Sequence, residues 1–139
     1  VTGAGLAPFA KCADLEALQI TGTAITDADL APFAELKRLA RLYAGATKLT
    51  DAALKPFAVE RFTELDLRCA KGIGNGTLEH LKGAKRLEWL VLSNTAVTDD
   101  GLKHLAGLPA LNRLDVRDTA VTAAGVKELA NALPKCTIE

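Results

Sequence analysis

The chain has 139 residues, with 17 basic and 17 acidic side chains in balance and hydrophobic residues at 49%. That apolar share excludes intrinsic disorder, and the zero net charge excludes a general binder of nucleic acid or anionic membranes. No unbroken apolar run reaches the 18 or so residues of a membrane span, and no basic stretch leads into an apolar one as in an export signal.

Leu (23) and Ala (25) dominate the composition, aromatics reach 4% and Met is absent. Position 1 is therefore not an unprocessed start, which implies a trimmed chain or a piece of a longer one. The scattered cysteines Cys12, Cys69 and Cys136 are expected to stay unbridged. With no visible export signal, free thiols favour the cytoplasm.

In chain order, residues 1–14 come first as a partial unit, since Val1 to Leu6 aligns with Val97 to Leu102 and predicts a helix with no strand before it. Five full units follow at 15–38, 39–61, 62–86, 87–110 and 111–135, each opening on L-x-x-L-x-L. The inward sets are Leu15, Leu18, Ile20; Leu39, Leu42, Ala44; Phe62, Leu65, Leu67; Leu87, Leu90, Leu92; and Leu111, Leu114, Val116. Alternation at period two predicts a short strand buried on one face. Apolar residues such as Val97, Leu102, Leu105 and Leu108 then recur at helical spacing, so each unit reads as strand, turn, helix. Strands joined through helices must run parallel. A βα unit of this size buries its apolar face only against its neighbours. Residues 136–139 echo L-x-L and predict a short closing strand with Cys136 and Ile138 inward.

These units resemble leucine-rich repeats, in particular a bacterial class carrying T-x-[IV]-T-D-x-G-L. Thr95 to Leu102 matches that segment fully, Thr23 to Leu30 and Thr119 to Val126 nearly so. A looser likeness links the units to the cysteine-containing repeats of F-box proteins, with Thr23, Thr47, Thr95 and Thr119 in the cysteine column and no F-box segment. The resemblance implies an α/β right-handed solenoid, a horseshoe with parallel strands on its concave face and helices on its convex face. It also implies an interaction scaffold.

Two local features bear on the helices. Pro8, Pro32 and Pro56 share a column, and because proline is tolerated only in a first turn the early helices are expected to be short and to start near Asp29 and Ala53. The third unit carries Gly72-Ile-Gly-Asn-Gly76, whose spacing is not that of a phosphate loop. Its extra residue is expected to be absorbed at positive φ.

Catalysis finds no constellation. Ser93 is the lone serine, on the strand side, while His80 and His104 sit on the helices behind it, so no serine–histidine or cysteine–histidine pair can meet. Two stacked histidines alone make a poor metal site. The residue pattern implies no enzyme, no cofactor and no metal. Lys37, Arg38, Arg61, Lys85 and Arg86 line the helix ends as a basic edge, and Asp27, Asp51, Asp99 and Asp100 the helix starts, a pattern that dipole complementation explains.

The functional signal lies on the strands, where the residues between the inward ones face outward. Row one is Ala17, Arg41, Glu64, Trp89, Arg113; row two Gln19, Tyr43, Asp66, Val91, Asp115; row three Thr21, Gly45, Arg68, Ser93, Arg117. The single Trp, the single Tyr and four of the seven arginines are there. Such residues dominate binding hot spots. Arg68 and Arg117 are expected to pair with Asp66 and Asp115 across strands, while Trp89 and Val91 form an exposed apolar pair awaiting a cover. The reading is a non-catalytic module that binds a protein partner through Arg41, Tyr43, Glu64, Asp66, Arg68, Trp89, Val91, Arg113, Asp115 and Arg117. Two alternatives stand beside it: self-association, as a homodimer, through the uncapped edge at residues 15–20, and a regulatory piece of a larger protein.

Overall fold

The computed structural model describes residues 2–139; Val1, which the alignment sets against Val97, lies outside them. Six three-residue or shorter strands, β1 (Ala17–Gln19), β2 (Arg41–Tyr43), β3 (Glu64–Asp66), β4 (Trp89–Val91), β5 (Arg113–Asp115) and β6 (Thr137–Ile138), form one open parallel sheet in chain order. The register repeats without slip: Leu18, Leu42, Leu65, Leu90, Leu114 and Ile138 stand side by side. This column and its companions Ile20, Ala44, Leu67, Leu92 and Val116 form one wall of a continuous core. The other wall comes from the helix side, with Leu30, Phe33, Leu54, Leu78, Leu81, Leu102, Leu105 and Leu129 all buried. Each such side chain contributes about 1.5–3 kcal/mol by leaving water.

The chain turns off every strand in the same way. Gly22, Ala46, Cys69, Asn94 and Asp118, each the eighth residue of its unit, all have φ between 52° and 72°. One left-handed residue per unit reverses the chain toward the convex side, and only Gly22 adopts it without steric cost. The next residue secures the turn: the hydroxyls of Thr23, Thr47, Thr95 and Thr119 donate to the carbonyls of Ile20, Ala44, Leu92 and Val116 at 2.5–2.7 Å.

A ladder of carboxylate and amide side chains then ties unit to unit at the helix starts. Asp27 accepts from the N–H (2.9 Å) and hydroxyl (2.5 Å) of Thr50, and Asp99 from those of Thr122 (2.8 and 2.6 Å). Asn75 accepts from the Thr98 N–H at 3.0 Å and donates to its hydroxyl at 2.8 Å. Asp51 meets the third unit at Gly74 N–H (2.7 Å), Thr77 N–H (3.0 Å) and the Thr77 hydroxyl (2.7 Å). The motif's glycine follows from this ladder, because a Cβ at Gly101 or Gly125 would strike Asn75 Oδ1 or Asp99 Oδ1 of the unit before. Where the preceding unit carries Gly3 in the ladder position, the small and acidic residues trade places: Asp29 sits opposite Gly3 and accepts from the Thr26 N–H (2.9 Å) and hydroxyl (2.8 Å) of its own unit. Hydrogen bonds hold these carboxyls below their ordinary range. For Asp99 the Thr122 hydroxyl is the main cause, and for Asp29 the Thr26 N–H. At Asp51 burial pushes upward, but the Thr77 hydroxyl and the Gly74 and Thr77 N–H groups together prevail.

Three local expectations are corrected. The first-repeat helix α2 (Asp27–Leu30) begins at the Thr-Asp pair rather than near Asp29. It yields to a 3₁₀ segment, Ala31–Glu35, with Pro32 in that segment's first turn, where no N–H is needed. The same division separates α1 (Gly3–Leu6) from Ala7–Lys11 at Pro8. In the second unit residues 51–57 form turns in place of a helix starting at Ala53. Longer helices appear past the proline column in α3 (Asn75–Leu81) and α5 (Ala123–Ala132), whereas α4 (Asp99–Leu102) gives way to a 3₁₀ turn, Lys103–Leu105, as α2 does but without a proline. Finally, Gly72, Gly74 and Gly76 are not at positive φ, since Gly22 is the sole glycine there. They are small because the second unit presses on them: a Cβ at Gly72 would lie 2.5 Å from the Leu49 carbonyl oxygen and one at Gly76 2.7 Å from Asp51 Oδ2.

Two outcomes follow for stability. Carboxyls with lowered folded-state pKa stabilise the fold fully above the unfolded value of about 3.9 and lose that contribution progressively as pH falls from there through the lowered folded-state value. The urea midpoint is therefore flat from about pH 7 to 5 and drops below about pH 4, and in the double variant Asp51→Asn, Asp99→Asn, patterned on Asn75, the drop is shallower; parallel slopes would contradict the ladder. Ala46→Gly, at φ 52° and exposed, raises stability by about 1 kcal/mol in the same urea assay, because glycine removes the left-handed penalty.

Candidate functional site

The outward strand residues form a continuous surface on the concave side, and the structure sorts them by height. Asp66, Val91 and Asp115, all of row two, are buried, at 6%, 2% and 7% exposure. Arg41, Tyr43, Glu64 and Trp89 are half-buried, and Arg68, Arg113 and Arg117 exposed. The expected exposed pair of Trp89 and Val91 is thus corrected. Val91 lies in register between Asp66 and Asp115, a short side chain with a charged neighbour on each flank and Trp89 two residues before it, and it forms part of the floor.

Trp89 has an aromatic partner instead. Its ring centroid is 6.2 Å from that of Tyr43, at 56°, across the intervening strand β3. Tyr43 donates its hydroxyl to Glu64 of β3, and this bond to a carboxylate raises the phenol's pKa, with burial adding to the effect. The tilted aromatic pair is thereby anchored over the middle of the sheet.

The two aspartate–arginine pairs close within their own units rather than across strands. Asp66 and Arg68 are two residues apart, as are Asp115 and Arg117, and each pair closes as a fork. Asp66 accepts from Arg68 N–H (3.1 Å) and Nε–H (2.9 Å), and Nη2 approaches at 2.7 Å. Asp115 accepts from Arg117 N–H (3.0 Å), Nε–H (2.9 Å) and Nη2–H (2.7 Å). The Arg117 guanidinium holds the Asp115 carboxyl below its usual range against the opposing effect of burial, and the Ser93 hydroxyl adds to the lowering. Each guanidinium is raised in turn by its aspartate. Arg41 and Arg113 reach Glu16 (3.9 Å) and Glu139 (3.6 Å). Gln19, Thr21, Tyr43, Asp66 and Arg68 line a shallow hollow at one end of this face. Gly45 makes room for the Arg68 side chain, since a Cβ there would meet Arg68 Cγ at 2.8 Å.

The basic edge is largely engaged in structure. Arg38 bridges Asp14 (2.9 Å) and Glu16, and Lys85 donates to the Gly107 carbonyl (2.7 Å). Arg61 lies against Phe57 and Phe62, 5.6 and 6.0 Å from the ring centroids, and donates to the Ala34 carbonyl at 2.8 Å. On the helix side a crevice of about 170 Å³ between α4 and α5, walled by Leu102, Ala106, Leu129 and Ala132, has room for no more than a side chain. Cys69 is half-buried, and its Sγ accepts from the Asn94 amide at 3.4 Å. Among the described residues no three His, Cys, Asp or Glu side chains converge on a metal position. No helix among them is long and apolar enough to cross a membrane.

One feature of the convex side escaped the sequence reading. Phe9, Phe33 and Phe57 share a column, yet Phe33 is fully buried while Phe9 is 51% exposed. Phe33 has a unit on either side, whereas Phe9 is covered by a following unit alone. The 24-residue recurrence of the P-F-A segment, at Pro8, Pro32 and Pro56, could have shown that these three residues form one column.

No protein-family model matches this chain, and no curated protein does. Solved structures do. An internalin from Listeria monocytogenes superposes with a TM-score of 0.72 at 23% identity, over 94% of this chain and 36% of that one. A leucine-rich repeat protein from Leptospira interrogans does so with a TM-score of 0.56 at 20% identity, over 94% of this chain and 38% of that one. The chain thus spans little more than a third of the length of either. The shared feature is the fold: an open, parallel, leucine-rich repeat solenoid with its sheet on the concave side.

Proposed function

We propose that this leucine-rich repeat solenoid is a non-catalytic binding module that takes a protein partner on its concave face. The observation that supports the reading most is the Tyr43–Trp89 pair, two half-buried rings 6.2 Å apart on a face where the core requires neither. Around them Arg41, Glu64, Arg68, Arg113 and Arg117 form a polar rim, with Asp66, Val91 and Asp115 as the rigid floor beneath. An aromatic centre within a charged rim is the composition of an interface hot spot.

Phe9, exposed on the convex side at the same end of the solenoid as the edge strand β1, favours a second reading, in which copies of the chain meet at that end. One experiment separates the two: affinity capture from native cell extract with wild type, Trp89→Ala, Arg117→Glu and Phe9→Asp, each checked by circular dichroism. The concave reading predicts that Trp89→Ala costs about 2 kcal/mol or more of binding, a loss of roughly thirtyfold, with folding intact. Capture that survives Trp89→Ala and Arg117→Glu and is lost in Phe9→Asp would transfer the function to the β1 edge.

A further inference from the structure

The outward residues of the first three strands form a small grid. Row two runs Gln19, Tyr43, Asp66 in register, and two residues further along each unit row three runs Thr21, Gly45, Arg68. Gly45 is the one glycine among the outward positions of the three rows, so the grid has a gap in the middle of row three. Arg68 leans into that gap, its Cγ standing 2.8 Å from where a Gly45 Cβ would be. The space that remains is the hollow of about 350 Å³ lined by Gln19, Thr21, Tyr43, Asp66 and Arg68. The fork on β5 is placed differently, for Arg117 turns its Nη1 toward Glu139, 3.8 Å away.

The walls of the hollow carry hydrogen-bonding groups that the fold leaves over. Asp66 engages Nε and Nη2 of Arg68, and since a guanidinium has five donors the Nη1 hydrogens are spare. Gln19 is exposed, and among the described residues its carboxamide has no hydrogen-bond partner. Thr21 donates its hydroxyl to the Tyr43 carbonyl at 3.3 Å, and Tyr43 donates its own to Glu64, so its ring acts as an apolar wall shared with the Trp89 pair. Charge is balanced: Asp66 cancels Arg68, and Gln19, Thr21 and Tyr43 are neutral. An anion entering here would meet Asp66 and Glu64, and a cation would meet the Arg68 guanidinium. A neutral group with an acceptor and a donor side by side meets neither penalty and engages both spare groups.

We infer that the hollow takes a carboxamide, the side chain of an Asn or Gln of the protein partner, whose carbonyl oxygen accepts from Arg68 Nη1 and whose NH₂ donates to Gln19 Oε1. The inference rests on the concave-face reading and specifies its chemistry. The backbones of β1 and β3 are two strand spacings apart, about 9.6 Å, a gap that two long side chains and one carboxamide between them bridge. Asp66, its side chain 9% exposed, acts as a positioning residue that fixes the Arg68 guanidinium, itself 47% exposed. An apolar side chain of the same shape would cover the spare donors and acceptor without pairing them, which is the cost that rejects it. The aromatic pair then takes the partner residue next to the carboxamide.

Nitrogen-15 NMR of the whole chain tests this, following the Gln19 side-chain NH₂, the Arg68 Nε–H and, as a marker of the adjoining surface, the Trp89 indole N–H. Four probes are titrated: N-acetyl-glutamine methylamide and its glutamate, lysine and norleucine counterparts. The glutamine probe is expected to move Gln19 and Arg68 on one saturable curve, at least about fivefold tighter than each of the other three, the factor that one hydrogen bond supplies. Gln19→Leu changes an exposed edge-strand residue outside the core and is expected to remove the preference, so that the glutamine and norleucine probes bind alike while the circular dichroism spectrum is unchanged. Equal binding of those two probes to the wild type, tighter binding of the glutamate or lysine probe, silence of Gln19 and Arg68 with all four, or a glutamine preference that survives Gln19→Leu would each overturn the carboxamide site. Partner capture that is still lost in Trp89→Ala would then keep the concave face as a binding surface, so the failure of this inference is distinct from failure of the reading it rests on.

Discussion

Every feature of this molecule depends on one constraint: a βα unit of 23 to 25 residues cannot bury its own apolar face, so it is stable only in strict register with the next. The leucine columns meet that constraint in the core, and the ladder Asp27–Thr50, Asp51–Thr77, Asn75–Thr98 and Asp99–Thr122 meets it at the rim. The two are coupled, because the ladder carboxylates occupy the space that a side chain at Gly101 or Gly125 would take. A small residue in one unit is thus a requirement set by an acidic residue in the unit before, and the exchange of Gly3 and Asp29 at the first interface obeys the same rule.

Since register is maintained by inward and rim residues, the outward strand positions are free of structural duty. What is found there is a surface with two levels: a floor of Asp66, Val91 and Asp115, and above it aromatic and guanidinium groups held in fixed orientation by partners within the chain. Such prior ordering lowers the entropy lost when another molecule docks. The fork geometry has the same effect on the arginines, whose long side chains would otherwise sample many rotamers.

The repeat period, strand order, inward columns and the closing strand at Thr137–Ile138 were all legible in the sequence, because each rests on residue types recurring at fixed spacing. Helix starts were less so, since the proline column permits two solutions, a late α-helix or an early one that tightens into 3₁₀, and the Thr26–Asp29 contact decides between them. Positive φ was assigned to the Gly72–Gly76 segment when the left-handed position begins three residues earlier, at Cys69, and is filled in the other units by Ala46, Asn94 and Asp118 as well as Gly22. No composition rule places alanine there; the strand-to-helix turn imposes it. On the concave face, row membership could be read for all ten candidate residues, but height could not. Val91 is covered by its neighbours' length, and the aspartates reach arginines two residues along their own strand, distances that alternation alone does not supply.

Hydrogen exchange offers the most direct test of the claim that stability resides between units rather than within them. The amides of Ile20, Ala44, Leu67, Leu92 and Val116 are equivalent, each donating to the following strand at 2.8–2.9 Å. Stacking predicts that protection peaks at Leu67 and Leu92, which have units on both sides, and falls toward Ile20 and Val116, nearest the open edges of the sheet. Equal protection of Ile20 and Leu67, or a maximum at Ile20, would contradict it.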